Sequence, residues 1–353
     1  MQKTGFIILL VCALLLSGCS APLAVLENTQ APTDAPVELK QYNASFLTLF
    51  DTVTAVVGRA ENEEAFTRMA QDVHDKLETY HRLFDIYNTY EGMNNLKTVN
   101  DQAGIAPVEV DEVIIDLLED CKRYYDLTEG RTNVMMGSVL GLWHEERQNG
   151  RRDPADASLP DRAALKNAAL HTSMDALIID REAGTVFITD PDARLDVGAV
   201  AKGWSVQRVA EQSPKGLLMS VGGNVAATGP KDDSGTPWVV GVENPDGGDY
   251  LHTLKVTDGC VVTSGDYQRT YVVDGKYYHH IIDPETLYPA EHWRSVTVLL
   301  SDSGAADALS TALFILPLDE GMELANAFGA EALWVDKDGN RHYTEHFMDH
   351  VKK

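Results

Sequence analysis

The chain has few cysteines, and their positions do not suit a disulfide framework. It contains 4 cysteines among 353 residues. Cys12 and Cys19 belong to the N-terminal leader region, which leaves Cys121 in a helical pattern and Cys260 at the start of a predicted strand. Because no C-x-x-C spacing is present, the sequence predicts two buried thiols rather than a disulfide or a cysteine metal site.

The short motifs of common nucleotide and hydrolase sites are also missing. The sequence contains no G-x-G-x-x-G, no G-x-x-x-x-G-K-S/T, no G-x-S-x-G and no H-E-x-x-H. Each of these motifs would fix a phosphate, a serine nucleophile or a zinc ion in a known geometry. Their absence removes the motif support for a standard dinucleotide, P-loop, serine hydrolase or zinc protease site.

Basic residues are scarce beside acidic ones. The chain has 29 Lys and Arg against 54 Asp and Glu, which gives a formal net charge of -25. A surface of this sign repels polyanions, so no nucleic-acid partner is expected. A smaller anionic ligand would have to be neutralised locally, by a few cations or by a metal ion.

Long apolar runs are confined to the N-terminus. The run from Phe6 to Leu16 follows the single charge of Lys3 and is too short to span a bilayer. The ending Leu16-Ser17-Gly18-Cys19 resembles the lipobox of bacterial lipoproteins, which implies cleavage before Cys19 and acylation of its thiol. An ordinary secretory signal with a chance cysteine is the alternative.

This leader divides the chain into three segments. Residues 1–18 would be a lipoprotein signal peptide. Residues 19–41 would be the acylated cysteine and a flexible tether rich in Ala, Pro and Thr. Residues 42–353 would form the folded domain, in which no segment is long and apolar enough for a transmembrane helix. We expect an extracytoplasmic protein anchored to the cell membrane as a lipoprotein.

The periodicity of apolar residues predicts an α+β fold with mixed or antiparallel sheets packed with helices. Helices are predicted over 63–84, 110–127 and 161–170, and a capped helix within 301–316. Strands are predicted over 46–58, at the start of LDVGAVAKG, and in the segments LLMSV, WVVGV and ALWVD, with hairpins at 176–190 and around Asp274-Gly275. The order lacks a βαβ rhythm, so a doubly wound Rossmann sheet is not expected.

The segment YYHHIIDPETLYP, from Tyr277 to Pro289, places titratable side chains beside a predicted buried strand. A tight turn at Asp274-Gly275 would pair Tyr271 with Tyr278 and Arg269 with His280. Polar side chains would then share one sheet end: Ser264, Asp266, His280 and Asp283. Such a cluster suits a site on a rigid scaffold. A half-buried hairpin with solvent-facing polar ends is the alternative.

A second polar pair lies on the predicted helix AADALSTALFIL. Asp307 and Thr311 are four residues apart, so they share a face, and the opposite stripe is apolar. A carboxylate and a hydroxyl offer the hard oxygen ligands that Mg²⁺ takes in proteins. An ordinary amphipathic helix with a surface aspartate would show the same spacing.

Two further segments place small or basic residues at strand ends. Lys202 follows the glycine of LDVGAVAKG in the first turn of a predicted helix, where an anionic phosphate can bind. Gly222-Gly223-Asn224 follows another strand. Its glycines would let a ligand approach the backbone, and Asn tolerates the left-handed region.

Taken together, these segments resemble the ApbE family, the FAD:protein FMN transferases. The resemblance is carried, in the order and spacing of the family, by FDT (Phe50 to Thr52), LDVGAVAKG (Leu195 to Gly203), VGGNV (Val221 to Val225), TSGDYQR (Thr263 to Arg269), HIIDPET-YP (His280 to Pro289) and AADALSTALF (Ala305 to Phe314).

The resemblance implies an outward-facing, Mg²⁺-dependent enzyme with FAD as substrate. It would split the pyrophosphate, release AMP and attach FMN through a phosphoester to a Thr or Ser of a target protein. Family targets are subunits of Nqr-type sodium pumps and Rnf-type redox complexes, and flavoproteins with an FMN-binding domain. The acceptor motif resembles D-x-x-S/T-G-A-S/T.

The resemblance also implies roles for individual residues. Asp307 and Thr311 match metal ligands, with a backbone carbonyl, that of Ala199, as a third. His280 matches the general base, and Asp283 would orient its neighbours. The FAD site would comprise Thr52, Asp196, Lys202, Gly222, Gly223, Asn224, Ser264, Asp266 and Tyr267.

The chain departs from the family pattern in two segments. Leu287 stands where the family commonly has Gly, which disfavours a positive φ and predicts a differently shaped turn. The segment from Thr132 to His144 departs from the more widespread F-D-P-T version. Ser303-Gly304-Ala305 is similar to the acceptor motif, but Leu300 replaces its Asp, so self-flavinylation is not predicted there.

Two alternative functions remain open. One is an FAD pyrophosphatase that yields FMN and AMP, and the other is a non-catalytic flavin-binding lipoprotein.

Overall fold

An antiparallel sheet of eight strands forms the centre of the fold. The computed structural model describes residues 38–47 and 49–353. The predicted signal peptide, Cys19 and most of the predicted tether lie outside these residues. Within the described residues, no helix is both long and apolar enough to cross a membrane.

The strands are short, and helices separate several of them along the chain. In chain order they are β1 (Lys40–Leu47), β2 (Val53–Ala60), β3 (Val108–Glu109), β4 (Leu177–Asp180), β5 (Thr185–Ile188), β6 (Leu217–Val221), β7 (Asn224–Ala227), β8 (Trp238–Val242), β9 (His252–Val256), β10 (Gly259–Gly265), β11 (Tyr271–Val273), β12 (Lys276–Tyr278), β13 (Trp293–Leu300), β14 (Glu331–Asp336) and β15 (Arg341–Tyr343).

The α-helices lie between strands in the chain, and several of them pack against the sheets. They are α1 (Glu63–Phe84), α2 (Leu96–Asp101), α3 (Glu112–Leu127), α4 (Gly137–Arg152), α5 (Arg162–Ala168), α6 (Ala201–Glu211), α7 (Ser303–Ile315) and α8 (Leu318–Phe328).

The large sheet has the strand order β1-β2-β6-β7-β10-β13-β14-β15, and each neighbouring pair is antiparallel. Smaller sheets are β3-β5-β4, β8-β9 and β11-β12. This architecture confirms the α+β class and the antiparallel sheets. β1 begins at Lys40, slightly before the expected domain boundary at residue 42.

Helix α7 is the most deeply buried element around the site. Asp302 caps its N-terminus by accepting a hydrogen bond from the backbone N–H of Ala305 at 2.8 Å. Every residue of α7 except Thr311 is buried. The apolar side chains of a helix surrounded by protein gain stability from burial. Polar residues on such a helix therefore point into the protein interior, and Asp307 is only 4% exposed.

Several predicted elements are confirmed. The helix over 63–84, the capped helix around Asp307 and the hairpin at Asp274-Gly275, with Tyr271 opposite Tyr278, are all present. Cys121 and Cys260 are free and buried, as expected. Ser303 is fully buried at the start of α7, which keeps its hydroxyl from any acceptor role.

Other predictions are wrong, and each has a backbone cause. The single strand over 46–58 is two paired strands, because Phe50 and Asp51 adopt positive φ angles of 52° and 54° and reverse the chain. Residues 195–197 form no strand. Ile281 and Ile282 lie outside the named strands, and Ile282 makes an isolated bridge to Pro289. The β11-β12 ladder ends at Tyr271 and Tyr278, so Arg269 and His280 are not a ladder pair.

Candidate active site where helices α6 and α7 cross

Asp307 lies where α6 and α7 cross at close range. Its carboxylate accepts a hydrogen bond from the backbone N–H of Gly203 at 2.9 Å. A Cβ at residue 203 would stand 2.5 Å from the Cβ of Asp307 and 2.2 Å from the carbonyl oxygen of Ser303. Only glycine therefore permits this approach of the two helices. The buried carboxylate is the opposite of the surface aspartate that an ordinary amphipathic helix would carry.

Lys202 brings a positive charge to this carboxylate. Its Nζ lies 3.3 Å from Oδ2 of Asp307 and 3.2 Å from the carbonyl oxygen of Gly198. Asp196 shapes the preceding turn, because its Oδ1 accepts a hydrogen bond from the Gly198 N–H at 2.8 Å. The segment LDVGAVAKG thus forms a turn that delivers a lysine to an aspartate far away in the sequence.

The donor set around Asp307 fits a divalent cation. It comprises a buried carboxylate, a backbone carbonyl of the turn before α6, and the hydroxyl of Thr311, whose Oγ1 donates to the carbonyl oxygen of Asp307 at 3.3 Å. All are hard oxygen ligands of the kind that Mg²⁺ takes, with waters or phosphate completing its shell. The predicted ligand Ala199 belongs to the same turn.

His280 lies beside a group of cations. The structure puts its Nδ1 3.2 Å from the carbonyl oxygen of Gln268. Burial lowers the pKa of His280, and the positive charges of Arg269, Lys202 and Arg147 act in the same direction. Together they lower this pKa to about 3. The imidazole is therefore neutral near pH 7 and can accept a proton.

The neighbouring histidine has a structural part. His279 is buried, its Nε2 lies 2.9 Å from the carbonyl oxygen of Ala290, and its Nδ1 accepts a hydrogen bond from the N–H of Ile281 at 3.2 Å. These bonds hold the loop after β12. Of the two consecutive histidines, His280 is thus the one available for chemistry.

Three residues of the site were missed from the sequence. Arg147 and His144 lie on α4, which was not predicted, and Tyr87 lies in the loop after α1. Tyr87 is 53% exposed and stacks on His144 with ring centroids 4.9 Å apart. Burial and then the charge of Arg147 lower the pKa of His144. An aromatic pair beside cations can receive a planar ring with attached phosphates.

The two glycines of VGGNV form a tight turn between β6 and β7. Gly222 and Gly223 have φ angles of 54° and 92°, which favour glycine at both positions. A Cβ on Gly222 would lie 2.7 Å from Oγ1 of Thr52, so the turn brings these two predicted residues together. Asn224 is not left-handed, contrary to expectation. It begins β7, is buried, and its Oδ1 has no hydrogen-bond partner within the described residues.

Leu287 keeps a positive φ of 63°, so the expectation of a differently shaped turn is wrong on this point. Its N–H donates to the carbonyl oxygen of Asp283 at 2.8 Å, and its own carbonyl oxygen accepts from Nε1 of Trp143 at 2.9 Å. Asp283 shapes the turn through a bond from the Glu285 N–H to its Oδ1 at 2.9 Å. The two segments that depart from the family pattern therefore contact each other.

The segment TSGDYQR is divided between two regions. Oγ of Ser264 lies 2.9 Å from Oγ of Ser310 on α7, on the side of Asp307. Asp266 and Tyr267 instead line a cleft of about 790 Å³, together with Lys276, His279, Arg294 and Lys337. Lys202, His280 and Asp307 are not among the described residues that line this cleft. We call this region the Asp266 cleft.

The comparisons with known proteins agree on one family. The model of the ApbE family matches residues 49–334 of this chain. The FAD:protein FMN transferase of Treponema pallidum is 32% identical over 311 residues, which cover 81% of this chain and 83% of that protein. The protein of the same name from Vibrio cholerae is 28% identical over 350 residues, 96% of each chain.

Solved structures show the same fold. The ApbE protein of Thermotoga maritima superposes with a TM-score of 0.79 and 28% identity, over 89% of this chain and 100% of that chain. The flavin transferase ApbE of Vibrio cholerae gives a TM-score of 0.74 and 25% identity, with the same coverage of 89% and 100%. The match of the family model over residues 49–334, most of the chain, shows that this protein belongs to the ApbE family.

Proposed function

We propose that this chain transfers FMN from FAD to a Thr or Ser hydroxyl of a target flavoprotein and releases AMP. The observation that carries the proposal is the geometry around Asp307: a buried carboxylate with Lys202 at 3.3 Å, where the same lysine also adds to the effect of burial in lowering the pKa of His280. The names of the relatives, FAD:protein FMN transferases, support it.

The charges of the site suit a pyrophosphate. Lys202, Arg147 and Arg269 lie near enough to His280 to affect its pKa, although the whole chain carries a formal charge of -25. A diphosphate bound among these cations would be neutralised locally. Its negative charge would also raise the pKa of His280 towards neutrality, where a general base works best.

The transfer forms one phosphoester bond to the acceptor and breaks the phosphoanhydride bond of FAD. His280 takes the proton of the acceptor hydroxyl, the oxygen attacks the FMN phosphorus, and the bond to the AMP phosphate breaks. A divalent cation held by Asp307, Thr311 and the carbonyl of Ala199 would supply positive charge to the pyrophosphate oxygens. Lys202 and the backbone of the Gly222-Gly223 turn would hold the phosphates, and Tyr87 with His144 would face a ring of FAD.

The location and the partners belong to the same proposal. Residues 1–18 would direct the chain out of the cytoplasm, and a lipid on Cys19 would anchor it to the cell membrane. The targets would be Rnf-type or Nqr-type subunits, or proteins with an FMN-binding domain, that present D-x-x-S/T-G-A-S/T outside the cytoplasm.

The test is the intact mass of an acceptor domain after incubation with the soluble enzyme, FAD and Mg²⁺. We expect a gain of one FMN per acceptor and one AMP released per gain. Both should disappear when the metal is chelated, and both should disappear when the acceptor Thr or Ser is changed to Ala. Release of AMP and FMN without any acceptor adduct would show that the enzyme hydrolyses FAD instead of transferring FMN. If no AMP is released, the remaining interpretation is a protein that binds flavin without a reaction.

A further inference from the structure

Lys202 uses the same oxygen atoms that a divalent cation would use. Its Nζ lies 3.3 and 3.5 Å from the two carboxylate oxygens of Asp307 and 3.2 Å from the carbonyl oxygen of Gly198. The side chain of Lys202 is 19% exposed and that of Asp307 is 5% exposed. Within the described chain, no other cation forms an ion pair with Asp307.

Two cations cannot occupy this place together. Mg²⁺ binds carboxylate oxygens at about 2.0–2.1 Å and tolerates little distortion of its shell. A metal ion bound at that distance would strongly repel an ammonium group in contact with the same oxygens. The contacts of Lys202 are longer than strong charge-assisted bonds, about 2.7–2.9 Å, and its four-carbon stem can turn away.

We propose that Lys202 is an exchangeable counterion of Asp307. It neutralises the buried carboxylate until a divalent cation binds, and the cation then releases the ammonium towards the pyrophosphate of FAD. The destination of the ammonium rests on the proposed function, whereas the exchange itself does not. A buried carboxylate left without any cation would be costly, which explains why the chain supplies its own.

The proposal makes metal and FAD binding mutually favourable. A metal ion must first displace Lys202, which weakens its affinity for the free enzyme. A phosphate of bound FAD stabilises the displaced ammonium, which lowers the cost of moving Lys202 away from Asp307. FAD therefore increases the affinity for the metal ion. Linkage requires that the metal tighten FAD binding by the same factor. A permanent ion pair between Lys202 and Asp307 would give no such coupling through the lysine.

The first experiment measures Mn²⁺ binding to the soluble enzyme without FAD, by electron paramagnetic resonance of the free ion. Lys202→Met should bind Mn²⁺ about tenfold more tightly than the wild type, since the competitor is gone. Lys276→Met is the matched control. It removes the same charge from a lysine that pairs with Glu291 at 2.9 Å and is 61% exposed, and it should change the affinity by less than about twofold. Equal or weaker binding by Lys202→Met would overturn the proposal.

The second experiment uses the wild type, so it decides the matter even if Lys202→Met does not fold. The rate of acetylation of Lys202 is followed by peptide mass spectrometry, with Lys276 as internal reference. Mg²⁺ alone should raise the rate at Lys202, because the amine leaves Asp307, and FAD added with Mg²⁺ should lower it again. An unchanged or lowered rate with Mg²⁺ alone would overturn the exchange. A rate that stays high with FAD would overturn only the pyrophosphate contact.

Discussion

The α6–α7 crossing and the Asp266 cleft each contain an aspartate from the sequence motifs, but the two are neutralised differently. Asp266 pairs with two cations, Arg294 at 3.3 Å and Lys337 at 3.0 Å, and its side chain is 17% exposed. Asp307 is more deeply buried and pairs with Lys202 alone within the described residues, at 3.3 Å. The more buried carboxylate therefore has the fewer cations.

We interpret this difference as that between a carboxylate that holds the fold together and one that is proposed to bind a metal ion. Arg294 also bonds Asp246 at 2.7 Å, and Lys337 donates to the carbonyl oxygen of Trp293 at 2.8 Å. Asp266 is thus part of a closed network that ties β10, β13 and the residues after β14 together. Asp307 has a single lysine partner in a place where an unneutralised charge is costly, so a divalent cation that takes the place of the lysine would find a carboxylate ready to bind it.

The largest expected effect is that of Asp307→Asn. The amide offers no charge to a metal ion, so AMP release from FAD should fall by about a thousandfold, the loss typical of removing one essential charge-stabilising group. AMP is measured in the presence of Mg²⁺, and thermal unfolding should stay cooperative. Mg²⁺-dependent turnover retained by this variant would contradict the assignment of Asp307.

Asp266→Asn is the matched change in the cleft. It weakens two partly exposed ion pairs, each worth at most about 1 kcal/mol, so a small fall in melting temperature is expected. AMP release should change by less than about tenfold, since the carboxylate contacts neither Lys202 nor His280. A loss as large as that of Asp307→Asn would end the distinction between the two regions.

The next effect separates the consecutive histidines, of which His279 lines the Asp266 cleft. His280→Gln should lower the rate of FMN transfer by about a hundredfold or more, because the proton acceptor is lost, while FAD still binds. His279→Gln should instead lower the free energy of unfolding by about 1–3 kcal/mol, because it disturbs buried hydrogen bonds. The mass of the acceptor measures the rate of FMN transfer, and chemical denaturation measures the free energy of unfolding. A reversed pattern would move the base to His279.

A smaller effect concerns acid stability. The pKa of His280 falls from 6.5 to about 3 on folding, chiefly through burial. Between these values the unfolded chain binds a proton that the folded chain does not, so His280 destabilises the fold as the pH falls below 6.5. In His280→Gln, the free energy of unfolding should therefore fall less steeply over this range. Parallel curves for the two proteins would show that the pKa is not lowered.

Sequence reasoning predicted the parts of the site that depend on local pattern. Helix α7 could be predicted because its capping Asp302, its apolar stripe and the spacing of Asp307 and Thr311 are all local. The Gly222-Gly223 turn could be predicted because two adjacent glycines after a buried strand tolerate positive φ.

The missed parts depend on contacts between distant segments. The second half of α4, HEERQNGRR, has no apolar period, so the helix and its Arg147 could not be predicted. The pairing of Lys202 with Asp307 spans 105 residues and is set by the packing at Gly203. Strand alternation would put Ser264 and Asp266 on one face, but β10 ends at Gly265 and the chain turns there.

The smallest effect tests the turn that follows His280 and carries Tyr288 and Pro289 to the Asp266 cleft. Leu287 has a positive φ, which costs a residue with a Cβ about 1–2 kcal/mol relative to glycine. Leu287 packs against buried residues that include Val139, Trp143 and Ile282. Leu287→Gly and Leu287→Ala both lose these contacts, but only glycine removes the strain. The glycine variant should therefore be the more stable of the two by about 1 kcal/mol, the reverse of the usual order at strain-free positions. Denaturant unfolding of both variants measures this difference. A less stable glycine variant would contradict the strain assigned to Leu287 and would mean that the turn takes a different backbone conformation in solution.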